Sequence, residues 1–310
     1  MEKNVITKLR DQVNEYFVGK EAVVEDVLTC LIAGGHVLLE DVPGVGKTTL
    51  ARTVARSTDC GFGRIQFTPD TLPTDVVGLF VYNMKSGDFD YKPGAIMHQL
   101  ILADEINRTS PKTQACLLEA MAEGQVTVDG TVHKLPQPFM VIATQNPVEF
   151  LGTYPLPEAS TDRFMMRLSI GYPEPSEEIR MAKNYLNDIS PDMAEPVCSS
   201  EDIMKIRADA SLVHVSDKLL GYIHEIIQNT REESRFVMGA SPRATISLVA
   251  ASRARAYLEG RDFVKPDDVK AVAVNVLHHR LTLTSASKIG REDTDSILRA
   301  LVLKAKIPME

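Results

Sequence analysis

The sequence of 310 residues contains no tryptophan and only four cysteines, Cys30, Cys60, Cys116 and Cys198. None forms a Cys-x-x-Cys pair. Neither a zinc knuckle nor a disulfide framework is indicated, and buried free thiols in a reducing compartment are the expectation. Long apolar runs are also missing. The longest, Val27 to Leu39, is broken by Thr29, Gly34-Gly35 and His36, and it falls short of the ~20 apolar residues that span a bilayer. Met1-Glu2-Lys3-Asn4 leads into no apolar signal core, so a cytoplasmic location without membrane insertion is expected. An excess of positive charge is absent too: 34 Lys and Arg face 42 Asp and Glu, for a net charge of −8. That balance argues against a general nucleic-acid coat, which needs clustered cations, while leaving room for a local basic channel.

What is present is an ordinary globular composition, 44% hydrophobic and 25% charged, enough for a sizeable core. The length suggests two domains. In the first half, His36 to Glu40, Leu100 to Asp104 and Phe139 to Thr144 are apolar throughout rather than alternating. Strands buried on both faces of a parallel sheet read this way. Helical patterns lie between them, at Thr48 to Ser57 and Pro111 to Ala122. The expectation is an α/β domain over 1–172. Pro173 and Pro175 break the pattern, and from 173 to 310 only helical periodicity follows. Ser216 reads as the cap of a helix over Asp217 to Thr230. Ser241-Pro242 opens another to about Tyr257, and Pro266 opens a third to about His278. Two hairpins interrupt the α/β half. Asp129-Gly130 joins Val126-Thr127-Val128 to Thr131-Val132-His133, and a weaker signal pairs Phe80 to Met84 with Phe89 to Tyr91. His278-His279-Arg280 reads as a helix end rather than a metal site.

Asp41-Val42-Pro43-Gly44-Val45-Gly46-Lys47-Thr48 follows a buried strand and opens a helix. That context is what a phosphate-binding loop requires. Backbone N–H groups converge on an anion at the positive end of the helix. Gly44 and Gly46 let the backbone close, Lys47 reaches the β- and γ-phosphates, and the Thr48 hydroxyl reaches Mg²⁺. Thr49 completes the candidate nucleotide-binding stretch. Asp41 stands where the strict motif has glycine, and a carboxylate there must point away from the phosphates or repel them. Ile101-Leu102-Ala103-Asp104-Glu105 carries two carboxylates to the C-terminal edge of a strand, where open α/β sheets bind ligands. Asp104 suits Mg²⁺, and Glu105 suits polarising an attacking water. Asn146, after another buried strand, either orients that water or serves as a turn amide before Pro147. No Asn-Lys-x-Asp guanine motif accompanies Asp75-Val76-Val77-Gly78, and no Gly-Ala-Phe-Thr-Gly-Ala loop occurs.

With these motifs in hand, the sequence resembles the MoxR ATPases of the AAA+ superfamily. The likeness rests on Val42 to Thr48, Ala103 to Arg108, Leu117 to Met121, Ala143 to Pro147, Leu156 to Phe164 and Ala240 to Arg243, in that order over nearly the whole chain. It implies an AAA+ core with strand order 5-1-4-3-2, a helical lid, and a ring, usually a hexamer. Both hairpins become family inserts facing the pore. Asn146 matches sensor 1, Arg163 the arginine finger acting on a neighbour's nucleotide, and Arg243 sensor 2. Val18-Gly19 matches the turn that contacts adenine. By its residues alone, Arg163 fits an ion pair with Asp162 or Glu158 as well. Arg243 in a first helical turn opposes the helix dipole unless an anion lies nearby. The resemblance further implies ATP hydrolysis with Mg²⁺ to mature a partner protein, often one with a von Willebrand factor A domain, including metal insertion. Two alternatives stand beside it: a nucleotide-dependent scaffold with little turnover, and a nucleic-acid motor, which the acidic balance disfavours.

Overall fold

A computed structural model describes residues 2–42, 44–146 and 153–307. In chain order its elements are α1 (Glu2–Tyr16), α2 (Glu21–Ala33), β1 (Val37–Glu40), α3 (Lys47–Ser57), β2 (Phe62–Gln66), α4 (Pro73–Val77), β3 (Gly78–Asn83) and β4 (Asp88–Pro93). Next come β5 (Leu100–Asp104), α5 (Pro111–Glu123), β6 (Gln125–Val128), β7 (Thr131–Lys134), β8 (Met140–Gln145), α6 (Glu158–Thr161) and β9 (Met166–Leu168). The remainder is helical: α7 (Pro175–Leu186), α8 (Ser200–Ser211), α9 (Asp217–Glu232), α10 (Pro242–Leu258), α11 (Pro266–Leu277), α12 (Ser285–Ile289) and α13 (Thr294–Lys304). The chain packs into two compact units. One holds 1–25, 36–157 and 168–204; the other holds 26–35, 158–167 and 205–310.

The first unit is built on a five-stranded sheet in the order β2-β5-β8-β1-β9. Counted as sheet strands 1 to 5 along the chain, this is the expected order 5-1-4-3-2. The pairings β2–β5, β5–β8 and β8–β1 are all parallel. Val37, Leu38 and Leu39, Leu100 to Ala103, and Met140 to Ala143 are all buried. Continuous apolar runs are therefore strands covered on both faces, as the sequence pattern implied. β2 was not legible in the same way. Its polar Arg64 and Gln66 alternate with buried Gly63 and Ile65, because it is the edge strand and its other face meets the site. Both hairpins form. β6 and β7 close across Asp129-Gly130, both at positive φ, and β3 pairs with β4 from Gly78↔Pro93 to Asn83↔Asp88. The stacked rings of Tyr91 and His133, 3.8 Å apart, join one hairpin to the other.

Residues 173–204 pack with the α/β unit, and 26–35 and 158–167 with the helical one. The reason lies in long-range polar contacts. The Arg180 guanidinium donates to the carbonyls of Asn14 and Glu15, Tyr16 donates to the Met193 carbonyl, and the Val197 N–H donates to that of Ser57. These tie α7 and the segment after it to the α/β unit.

The second unit is a helical bundle. Ser216 and Ser241 cap α9 and α10, accepting from the N–H groups of Leu219 and Ala244. α10 presents small buried residues, Ala244, Ala251, Ser252, Ala254 and Ala256, which let α11 approach closely. Arg280 is the polar centre of this unit. Its side chain is 2% exposed, its Nε donates to Asp162 Oδ1 at 2.6 Å, and its Nη2 reaches the Phe164 carbonyl and Ser247 Oγ. His278 and His279 end α11 in a short 3₁₀ turn. His279 Nε2 meets the Phe164 carbonyl at 2.9 Å, and loss of solvent, then the Arg280 charge, holds its imidazole well below the ordinary histidine range. All four cysteines are free thiols. Burial pushes Cys198 up to about 12 and Cys30 well above its usual range, so both are inert. Among the described residues, no helix is long and apolar enough to cross a membrane.

Candidate active site

The loop between β1 and α3 turns on two glycines. Gly44 and Gly46 have φ of 87° and 90°, backbone in which a side chain is disfavoured. Gly46 caps α3, so the free N–H groups of the first helical turn face the loop's concave side. Pro43 lies outside the described residues. Lys47 Nζ donates to the Asp41 carbonyl at 2.8 Å, which folds its side chain back over the loop. Burial pushes the Lys47 ammonium down from the usual lysine range, while Asp41, Asp104 and Glu105 oppose that shift.

Asp41 answers the question its sequence position raises. Its carboxylate accepts from Ile170 N at 2.6 Å, Gly171 N at 3.0 Å and Ser169 Oγ at 3.0 Å. The charge points away from the concave side and ties the loop to the segment after β9. Asp41 is thus placed as a brace, with only its carbonyl turned to Lys47.

Two cavities meet at Gly44. One, of about 290 Å³, is lined by Val18, Gly19, Val45, Gly171, Tyr172 and Met181 among others. Gly19 must stay small there, because a Cβ would meet the Phe17 ring at 2.7 Å. The other, of about 390 Å³, brings together Gly46, Lys47, Thr48, Thr49, Asp104, Glu105 and Asn146. Val42 lines neither. A largely apolar cavity beside a cationic loop and two carboxylates suits a nucleoside with a polyphosphate tail. The hard oxygen donors Thr48 and Asp104 suit Mg²⁺ rather than a softer metal.

Other residues hold this cavity. Thr144 Oγ1 donates to Asp104 Oδ1 at 2.7 Å and accepts from the Glu105 N–H at 2.9 Å. Glu105 itself has φ 57°, a left-handed conformation for a residue with a side chain; such strain costs of order 1–3 kcal/mol and clusters at functional sites. Gln114 fixes the turn that follows, donating to the carbonyls of Ile106, Thr109 and Tyr154. Arg64 donates to Asp104 Oδ2 at 2.8 Å, while Gln66 and Arg108 donate to Glu105 Oε2 at 3.0 and 2.9 Å. The sequence reading missed all five of these residues. Two signals were available: Arg108 and Thr144 lie inside the runs Ala103 to Arg108 and Ala143 to Pro147, and the i, i+2 spacing of Arg64 and Gln66 places both on one face of a strand.

Arg163 and Arg243 lie in the helical unit. Asp162, one of the two ion-pair partners that the sequence offered Arg163, is engaged by Arg280 and, at 3.6 Å, by Arg243; the side chain of the other, Glu158, lies outside the described residues. Ser241 Oγ also reaches Asp162. The Asp162 carboxylate lies near Arg243 and offsets its place at a helix start.

Comparison with known proteins agrees with this geometry. Residues 36–166 match the ATPase family associated with various cellular activities (AAA), and residues 228–301 match the AAA lid domain. The Bacillus subtilis protein YeaC is 46% identical over 306 residues, covering 99% of this chain and 96% of its own. The Mycobacterium tuberculosis chaperone MoxR1 is 42% identical, covering 96% and 81%. A crystal structure from Cytophaga hutchinsonii, described as a candidate ATPase, superposes with a TM-score of 0.93 at 38% identity over 99% of this chain and 96% of that one. By its relatives over nearly the full length, the chain belongs to the MoxR family of AAA+ ATPases.

Proposed function

We propose that this ATPase hydrolyses Mg-ATP at subunit interfaces of a ring, most simply a hexamer, and uses the change to remodel or mature a partner protein. The observation that carries the reading is the cavity in which Lys47, Thr48, Asp104, Glu105 and Asn146 meet. Val18 and Gly19 receive adenine in the adjoining cavity. The amides of residues 44–49 and the Lys47 ammonium hold the phosphates. A divalent ion held by Thr48 and Asp104 supplies charge neutralisation on the phosphate oxygens. Glu105 orients a water and draws off its proton as the water oxygen bonds to the γ-phosphorus. The bond to the bridging oxygen breaks, leaving ADP and inorganic phosphate. Asn146 positions the same water. Arg163 of one subunit approaches the next subunit's triphosphate, and Arg243 exchanges Asp162 for that charge.

In this reading residues 1–172 carry the nucleotide-binding core and the lid that responds to it is drawn from 173–310, with 173–204 packed on the core. The hairpins deliver the response. The tip of the first exposes Met84 at 90% and Phe89 at 66%, apolar surface available to a protein partner. The name chaperone borne by MoxR1 is consistent with such a partner, a protein with a von Willebrand factor A domain being the first to try, in the cytoplasm, with metal or cofactor insertion as one outcome. The net charge of −8 weighs against a nucleic-acid substrate. Phosphate release per protomer, measured across protein concentration, tests the reading. Hydrolysis in trans predicts specific activity that climbs as the ring assembles. A flat, low rate points to a scaffold, and stimulation by DNA points to a motor.

A further inference from the structure

The two carboxylates at the end of β5 are not waiting bare. Asp104 Oδ1 takes the Thr144 hydroxyl and Oδ2 takes Arg64. The same Arg64 nitrogen donates to Gln66 Oε1 at 2.8 Å, and Gln66 donates onward to Glu105. Parallel pairing of β2 with β5 sets this geometry. Gln66 is in register with Asp104, and Arg64 lies two residues earlier on the same strand face. The Arg64 side chain is 49% exposed and lines the same cavity as Lys47 and Thr48, whereas Asp104 is 15% exposed.

A carboxylate so enclosed is stabilised by a counter-charge, and a guanidinium seated on Oδ2 repels a divalent ion that approaches the same oxygen. We infer that Arg64 is a placeholder for the divalent cation: it neutralises Asp104 while the metal is away and must be displaced for the metal to bind. This rests on the reading of Asp104 as the residue that receives the ion. The displacement costs little because the guanidinium end of the pair is half-exposed and, once freed, has solvent beside it. The consequence is thermodynamic. Arg64 competes with the cation, so it weakens the coupling between metal and nucleotide.

The test is the affinity for a fluorescent ADP analogue, measured in EDTA and at rising free Mg²⁺, with the ratio of the two dissociation constants as readout. Arg64→Met removes the competitor, so the ratio should grow about two- to fivefold, the range implied by an exposed ion pair. Arg64→Lys, which keeps the charge, should return the ratio toward that of the unaltered protein. An unchanged or smaller ratio in Arg64→Met overturns the inference. Asp104→Asn separates the two levels of the argument, since it should collapse the ratio in any case. If it does not, the assignment of Asp104 itself fails; if it does while Arg64→Met leaves the ratio unmoved, only the placeholder fails.

Discussion

Among the arginine–aspartate pairs of this chain, Arg280–Asp162 in the helical unit and Arg64–Asp104 in the α/β unit are built for opposite purposes. In the helical unit the Arg280 side chain is 2% exposed and bonds Asp162 together with the Phe164, Met165 and Val276 carbonyls. In the α/β unit Arg64 is half-exposed and holds Asp104 through one nitrogen beside a cavity. A guanidinium that is itself buried and shared among a carboxylate and several carbonyls has nowhere to go and acts as structure. A pair at the rim of a cavity can be traded for a ligand. Burial of the cation therefore separates the ion pair that holds the fold from the one that serves the site, although the residue types are identical.

That contrast can be broken at several points. The largest effect belongs to Glu105→Gln. Turnover should fall by about 10²–10⁴-fold, as loss of a group acting on the water implies, with thermal stability unchanged because its partners Gln66 and Arg108 are exposed. A large loss of stability would mean that the α/β carboxylates hold the fold after all. Next is Arg280→Met, which removes the buried guanidinium from Asp162 and from the Phe164 and Met165 carbonyls and should cost about 3–5 kcal/mol in urea unfolding. A cost below about 1 kcal/mol would place Arg280 with the exchangeable pairs.

Asp41→Ala sharpens the comparison within the α/β unit. It strands the Ile170 and Gly171 N–H groups and should cost about 1–3 kcal/mol, the penalty for buried donors left unpaired. Nucleotide affinity should fall with it, since Gly44 and Gly171 border the same cavity. Unaltered affinity would show that the brace does not set the loop. The smallest effect on folding is that of Arg64→Met, below about 1 kcal/mol; differential scanning calorimetry would detect a larger one and contradict the exchangeable character of the pair.

The sequence disclosed the parts whose chemistry fixes residue type and spacing. The loop around Lys47 and the carboxylates Asp104 and Glu105 were legible because phosphate binding demands glycines, a lysine and acids at strand ends. β1, β5 and β8 were legible as unbroken apolar runs. Groups that act across long separations were hidden. Arg280 lies 118 residues from Asp162, and nothing in the order of residues marks the two as partners. Thr144 ends an apolar run and reads as strand, although its hydroxyl bridges Asp104 and the Glu105 amide. β2 was hidden because the residues that serve the site, Arg64 and Gln66, interrupt its apolar pattern. Asp41 was visible as a departure from the motif, but its partners, Ser169 to Gly171, lie about 130 residues along the chain.

The central claim is that a triphosphate held by one subunit is cut with an arginine from the next. Mixing two inactive variants, Glu105→Gln and Arg163→Ala, measures it directly. Each alone lacks turnover, but a mixed ring contains interfaces where an intact Glu105 meets an intact Arg163. Phosphate release should reappear on mixing and peak near equal proportions. Mixtures that form rings yet stay as inactive as their parents would contradict hydrolysis in trans.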